Sequence, residues 1–366
     1  MTRQLNVGIV GARRGTGFIQ PFNTIAETEV TALCDLNEET LHTVAARHGI
    51  AKQFTDYEKL LEDDDIQIVV LATPENLHVP QTIAALYAGK HVISEVTAAV
   101  SLVQCAELVR AVRKSRTKYM MAENYCYLRS NVLVGNMVRQ GLFGDIYFGE
   151  GEYLHNVKSL HHDSEGNPTW RFHWQVGVNR CNYATHHLGP ILQWFNERVV
   201  SVCCLGTGVR TDPEYVMEDT VMMLCKTESG ALIKIRIDML SNRPPNSYYG
   251  LQGTKGCYEG SRGFGDQPKI WLAEPKQHDE WIPLSAFEDE LLPDRWKNPP
   301  QEAAHLTDRL GDYFELRDFV DCILQDSEPP LDVYTALDFT VPGLVSEQSI
   351  ANGGAPVEVP NFRDLD

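Results

Sequence analysis

The chain has 366 residues, room for two domains, and its 43% hydrophobic and 22% charged residues are those of an ordinary globular protein. A formal net charge of -18 argues against nucleic acid or an anionic membrane surface as a partner. Strand-like residues begin almost at Met1, leaving no place for the apolar core of a signal peptide, and no apolar run reaches the ~18 residues of a membrane span. The nine cysteines are odd in number, scattered and without C-x-x-C spacing, which reads as reduced thiols in the cytoplasm and not as a disulfide framework.

In chain order, the first feature is Leu5-Asn6-Val7-Gly8-Ile9-Val10-Gly11-Ala12-Arg13-Arg14-Gly15-Thr16-Gly17, an apolar strand running into a glycine-punctuated turn. Glycine there lets backbone N–H groups approach a pyrophosphate, and a following helix N-terminus adds a favourable dipole. The spacing departs from G-x-G-x-x-G, because Arg13 and Thr16 stand where the second and third glycines would be. A second apolar run, Val30–Cys34, ends on Asp35, close to the ~20-residue offset of a ribose-binding carboxylate. That carboxylate would repel a 2′-phosphate and so favours NAD over NADP, while Arg13 and Arg14 keep NADP open.

Strands are predicted at Asn6–Val10, Val30–Cys34, Ile66–Ala72, His91–Ser94 and Lys118–Met121, alternating with helices at Glu39–His48, Val79–Ala88 and Leu102–Lys114. The alternation predicts a doubly wound parallel sheet of the Rossmann type, an α/β fold, over residues 1–125. Gly15, Thr73-Pro74 and Glu95 are expected at strand carboxyl ends, where such sheets bind ligands. From 126 to 366 the rhythm changes. A helix over Asn131–Gln140 precedes strands at Ile146–Tyr153, Val199–Val209, Thr220–Lys226, Ala231–Met239 and Lys269–Leu272, without crossover helices, which predicts a large, open, mainly antiparallel sheet in a second α/β domain. Helical spacing returns from Leu306 to Leu324, the C-terminal segment being free to pack back on the first domain, and Asn242–Asn246 and Lys276–Pro300 read as loops.

Several segments together carry a resemblance. The N-terminal turn, Thr73-Pro74-Glu75-Asn76-Leu77-His78, Gly89-Lys90-His91-Val92 leading to Glu95, and Gly353-Gly354-Ala355-Pro356-Val357 resemble the Gfo/Idh/MocA oxidoreductases over nearly the full length. Glu123-Asn124-Tyr125-Cys126-Tyr127, Glu150-Gly151-Glu152-Tyr153-Leu154-His155, Tyr183-Ala184-Thr185-His186-His187-Leu188-Gly189-Pro190 and Ser346-Glu347-Gln348-Ser349-Ile350-Ala351 are similar to that family's NAD-dependent glycosidases, typified by α-N-acetylgalactosaminidases. The resemblance implies a sugar site lined by Glu123, Tyr153, Arg171, Tyr183 and His186; His187 is expected beside it, and Trp170, His173 and Trp174 read as an apolar wall for a sugar face. The cofactor side is expected to comprise Gly11, Arg13, Arg14, Gly15, Thr16, Asp35, Thr73 and Glu123, with Asn76 and His78 fixing the loop near the cofactor and Glu95 at the nicotinamide ribose or a substrate hydroxyl. Two departures from the dehydrogenases point to the glycosidase branch: Glu95-Val96-Thr97 replaces Glu-Lys-Pro, and Tyr183 stands where the aspartate of a D-x-x-x-H pair would be. Many of those glycosidases are exported, which this chain is not expected to be.

The residues permit a definite chemistry. Tyr183 and His186, three apart, would share one side of a helical turn. Neutral imidazole accepts a proton near its unperturbed pKa of about 6.5, whereas a tyrosine base, near 10, needs a cation such as Arg171 beside it. In the redox glycosidases, oxidising ring carbon 3 acidifies the proton on carbon 2 and lets the carbon 1 substituent leave; Tyr153 or Tyr183 would take that proton and His186 would assist the leaving group. Three readings stay open: that redox-elimination cycle with NAD recycled, a plain NAD(P)-dependent sugar dehydrogenase or keto-sugar reductase, and a non-catalytic NAD-binding sensor or scaffold. The spacing of His155, His161, His162, Asp163 and His173 fits no zinc signature, so no metal is expected. Apolar strands such as Thr220–Lys226 need a cover, which predicts a homo-oligomer, a dimer or tetramer.

Overall fold

A computed structural model describes residues 4–273 and 280–365. The chain divides into two compact units, one of Met1–Tyr127, Pro299–Leu337 and Phe362–Asp366, the other of Leu128–Asn298 and Asp338–Asn361.

The first unit holds a six-stranded sheet of β1 (Leu5–Val10), β2 (Thr28–Cys34), β3 (Lys52–Phe54), β4 (Ile68–Leu71), β5 (His91–Glu95) and β6 (Tyr119–Ala122), in the order β3-β2-β1-β4-β5-β6. Every pair in it is parallel. Its centre is apolar on both faces, with Val7, Ile9, Leu33, Val69, Val70 and Ile93 wholly buried, as a sheet covered by helices on both sides requires. The crossovers are α1 (Ala12–Thr24), α2 (Glu38–His48), α3 (Tyr57–Leu61), α4 (His78–Tyr87) and α5 (Leu102–Lys114). Local chemistry sets their ends. Asn37 caps α2 by accepting from the Thr40 N–H at 2.8 Å, and Gly49 closes it at φ 70°.

Gly15, expected at the strand end, instead lies inside α1, one turn past the true turn residue Gly11. It serves packing: a Cβ there would fall 2.3 Å from Cγ2 of Ile9, so the helix reaches the sheet only because position 15 has no side chain. Gly15→Val should therefore lower stability by at least the ~1–3 kcal/mol of an overpacked core and weaken dinucleotide binding as α1 lifts. Chemical denaturation and NAD titration read both, and unchanged values would refute the packing role.

The second unit is built on nine strands: β7 (Ile146–Leu154), β8 (Val199–Gly206), β9 (Thr220–Thr227), β10 (Leu232–Asp238), β11 (Asn246–Gly253), β12 (Gly256–Glu259), β13 (Lys269–Leu272), β14 (Ile282–Pro283) and β15 (Val357–Glu358), in the order β14-β13-β12-β11-β7-β10-β9-β8-β15. The sheet is mixed, since β7 and β10 at its centre run parallel while the other pairs are antiparallel. Helices α6 (Arg129–Arg139), α7 (Trp170–Trp174) and α8 (Thr185–Phe195) belong to this unit. Alternation along β7 decides where α8 lies. Gly149 and Gly151 share one face, and Cβ atoms there would meet Ile191 Cγ2 at 2.9 Å and His187 Cβ at 2.6 Å. The opposite face carries Glu150 and Glu152, paired with Lys234 and Arg236, and exposed Leu205, Met222, Leu224 and Leu232.

The remaining helices are α9 (Leu310–Gln325), which packs on α1 in the first unit, and α10 (Val333–Ala351). The Ser346-to-Ala351 motif is structural. Ser346 Oγ accepts from Cys181 N–H and donates to Gly343 O, and Ser349 Oγ accepts from Cys204 N–H and donates to Ala355 O. The loop expected over Lys276–Pro300 lies outside the described residues as far as 279; beyond that it carries β14 and two one-turn helices, Glu288–Leu291 and Asp294–Lys297. Among the described residues no helix is long and apolar enough to cross a membrane.

Candidate active site

The first unit presents the ends of β1, β2, β5 and β6. Gly11 adopts φ 91°, and a Cβ there would lie 2.5 Å from Ala72 O, so the turn between β1 and α1 demands glycine. Asp35 follows β2 and turns its carboxylate to this turn: Oδ2 accepts from Ala12 N–H at 2.8 Å and Oδ1 from Asn37 N–H at 2.9 Å. The start of α1 leaves the N–H groups of Arg13 and Arg14 without partners inside the helix, the usual seat of a phosphate. Thr16 Oγ donates to Arg13 O at 3.0 Å and so spends its hydroxyl on the helix. Arg14 reaches across to Glu95, Nη2 to Oε1 at 2.5 Å, while Arg13 is exposed. These residues fit a dinucleotide: a glycine turn that excludes Cβ, a helix N-terminus and a fixed acid beside it.

Thr73, Asn76 and His78 brace the neighbouring loop. His78 is buried with Nδ1 2.8 Å from Thr97 O and Nε2 2.9 Å from Thr73 O, and burial holds its pKa below the ordinary value. Asn76 O accepts from Gln104 Nε2. Glu123, at the end of β6, is wholly buried and its Oε1 accepts from Tyr125 N–H at 3.3 Å. Sequence reasoning missed Glu315 of α9, buried beside it. Desolvation first, then the charges of Asp312, Glu95 and Glu123, raise the Glu315 pKa well above its ordinary value. Its only signal was a carboxylate set directly after Phe314 in an apolar helical stripe.

The second unit gathers the proton-transfer candidates on the α8 side of its sheet. Tyr153, from β7, lies parallel to Tyr183 with ring centres 6.4 Å apart and 9° between planes, and the His186 ring packs at 5.4 Å from Tyr153 and 5.5 Å from Tyr183. Tyr183 is not on the helix with His186, as the three-residue spacing predicted. It precedes α8 in the left-handed region at φ 56°, and this turn brings the rings together. Arg171 of α7 donates from Nη1 to the Tyr183 hydroxyl at 3.1 Å, and its guanidinium lies 4.5 Å over the Trp170 ring. His173 and Trp174 are exposed.

His187, expected at the substrate, has no exposure: it stacks on Tyr249 at 4.6 Å and its Nε2 lies 3.0 Å from Ser247 Oγ, so it backs the cluster from inside. Burial and neighbouring His186 push its pKa well below the ordinary value. His161 is likewise buried, against Tyr215, and desolvation with nearby Arg171 lowers it to about 4. Among the described residues no three His, Cys, Asp or Glu side chains are grouped to hold a metal. His155 has no role of its own in the sequence reading beyond its place in the Glu150–His155 motif; the structure sets its Nδ1 2.8 Å from the Tyr153 hydroxyl.

A parallel sheet with a glycine turn and helix N-terminus at its strand ends, in a chain whose second unit gathers tyrosine, imidazole and guanidinium groups, fits the class of NAD-binding oxidoreductases. The profile of the oxidoreductase family with NAD-binding Rossmann fold matches residues 5–123, the GFO/IDH/MocA C-terminal domain residues 132–259, and the glycosyl hydrolase 109 C-terminal domain residues 206–364. A glycosyl hydrolase family 109 protein of Shewanella pealeana is 30% identical over 98% of this chain and 85% of its own. An alpha-N-acetylgalactosaminidase of Shewanella oneidensis is 28% identical over 98% and 85% of the two chains. Levoglucosan dehydrogenase, solved with NADH and levoglucosan, has the same fold at TM-score 0.82 and 20% identity, over 98% of this chain and 100% of that one. The chain belongs to the Gfo/Idh/MocA oxidoreductase family and, within it, to glycosyl hydrolase family 109.

Proposed function

We propose that the protein acts on a pyranoside through its carbon 3 hydroxyl and cleaves the glycosidic bond by redox-elimination, with NAD recycled. Membership in the family supports the class of reaction, and the contact between Arg171 and the Tyr183 hydroxyl carries the reading. A guanidinium there favours the phenolate, the form able to remove a proton from carbon. When bound, NAD+ would accept the carbon 3 hydride as that carbon becomes a ketone, and the NADH so formed would return it.

The residues of the chain do the rest. Tyr183, backed by Arg171, removes the carbon 2 proton; the electron pair forms the carbon 1–carbon 2 double bond as the carbon 1–oxygen bond breaks; His186 protonates the departing oxygen. Water then adds at carbon 1 and the proton returns to carbon 2. Asp35 supports NAD over NADP, since its carboxylate stands at the helix turn and Arg14 is engaged by Glu95 and not free for a 2′-phosphate. The nine cysteines, none of them in a disulfide, support a cytoplasmic location.

Aryl glycosides test the reading. Aryl alcohol released without net NADH is the expected result. Stoichiometric NADH with an intact glycoside would mark a plain sugar dehydrogenase, and neither, with NAD still bound, a sensor or scaffold. The exposed Leu205, Met222, Leu224 and Leu232 on the outer sheet face support a homo-oligomer through that face. Light scattering should give a multiple of the chain mass, and a single-chain mass would count against it.

A further inference from the structure

The two tyrosines of the cluster have different partners. Tyr183 meets a cation, Arg171, whereas Tyr153 meets a base, with its hydroxyl 2.8 Å from Nδ1 of His155 and the rings edge to face at 84°. The pairing follows from strand geometry. Tyr153 and His155 are two residues apart and so leave β7 on the same face, the one that Gly149 and Gly151 open to α8. The ladder continues past β7 through His155 N–H to Asp238 O at 2.8 Å, which fixes the histidine backbone beside β10.

We infer that His155 is the positioning residue behind Tyr153: as Tyr153 takes the proton of the carbon 3 hydroxyl, whose O–H electron pair becomes the second bond of the ketone, its own phenolic proton passes to Nδ1 of His155. The balance is simple. The substrate keeps the electron pair of the broken bond, the Tyr153 oxygen exchanges one proton for another, and the imidazole becomes an imidazolium that gives its proton back when the cycle reverses. The relay requires a neutral imidazole with Nδ1 free to accept and the hydrogen on Nε2. The groups that face His155 suit this state: Tyr153 from its own strand offers a phenol, and Arg171 of α7 and His186 of α8 add to desolvation in lowering its pKa. The cluster then holds a proton-transfer pair of Tyr153 with His155 beside the contact of Tyr183 with Arg171.

This inference rests on the proposed sugar chemistry, so its test has one arm that does not need turnover. Nitrogen NMR of the holoenzyme, labelled in histidine, reads the tautomer of His155, assigned by its loss in His155→Asn. An Nε2–H tautomer, with an Nδ1 signal that shifts in Tyr153→Phe, is expected; an Nδ1–H tautomer overturns the relay whatever the enzyme does with sugars. The second arm compares His155→Asn and His155→Phe on aryl glycosides. Asparagine retains an acceptor for the Tyr153 hydroxyl but cannot hold its proton. Both variants should lose about 100-fold or more in kcat with KM within about twofold, and the acid limb of the kcat profile should vanish in His155→Asn. Near wild-type kcat in His155→Asn overturns the relay. Absence of any wild-type turnover overturns the proposed function instead, and the tautomer then decides the relay alone.

Discussion

Tyr183→Phe is expected to lower kcat on an aryl glycoside by about 10²–10⁴-fold with little change in KM, the range that general acid–base groups command. The substitution removes one oxygen and leaves the ring, so the stack on Tyr153 at 6.4 Å and the packing on His186 at 5.5 Å survive. What is lost is the proton acceptor and the contact with Arg171. Arg171→Met should fall nearly as far, because an uncharged side chain no longer favours the phenolate. Arg171→Lys should recover part of the loss, since it restores charge without the planar fork. Residues that act as one unit are not additive, so Tyr183→Phe/Arg171→Met should be hardly slower than Tyr183→Phe alone. Steady-state kinetics on the four variants decides it. Losses that multiply in the double variant, or a Tyr183→Phe enzyme of ordinary rate, would remove Tyr183 from the chemistry.

Much of this arrangement is legible in the residues, and the rest fails for identifiable reasons. Five of the six strands of the parallel sheet are read from the sequence because they are short apolar runs alternating with helical patterns, two of these capped by Asn37 and Ser101, whereas β3, Lys-Gln-Phe, is too short and polar to be seen. Periodicity gives Leu102–Lys114 to the residue, with Ser101 capping it. It misses α10 because Pro342 and Gly343 interrupt the pattern, although tertiary packing keeps the helix: a Cβ at Gly343 would sit 2.9 Å from Cys181 O. It also misses β11, where glycines and tyrosines dilute the alternation and only pairing with β7 defines the strand. At the site, tyrosine and histidine types point to proton transfer, but Arg171 at Tyr183 is a pairing across 12 positions that only the fold can settle. Tyr153 with His155 is different. The i, i+2 spacing of Tyr153 and His155 puts both on one face once the extended chain is known to run one residue past β7, and the fold settles that through His155 N–H to Asp238 O.

Glu315→Gln should make the protein more stable than the wild type in mildly alkaline solution and change it little near pH 5. Glu315 is 2% exposed, and desolvation with the charges of Asp312, Glu95 and Glu123 raises its folded pKa well above the ordinary 4.5. The sign follows from linkage. Below the unfolded pKa both states hold the proton and the side chain brings no penalty. As pH rises, the unfolded chain releases its proton while the folded one retains it, so stability falls by about 1.4 kcal/mol per pH unit until the folded pKa is reached. Glutamine has the same shape, stays neutral at every pH, and can donate to carboxylates that Glu315 would repel once ionised. The gap in melting temperature between variant and wild type should therefore open as pH rises above the unfolded pKa and level off once the folded pKa is passed, and calorimetry across that range measures it. A gap that does not vary with pH would mean that Glu315 is ionised in the fold, and that its neighbours and Arg14 compensate the charge where it lies.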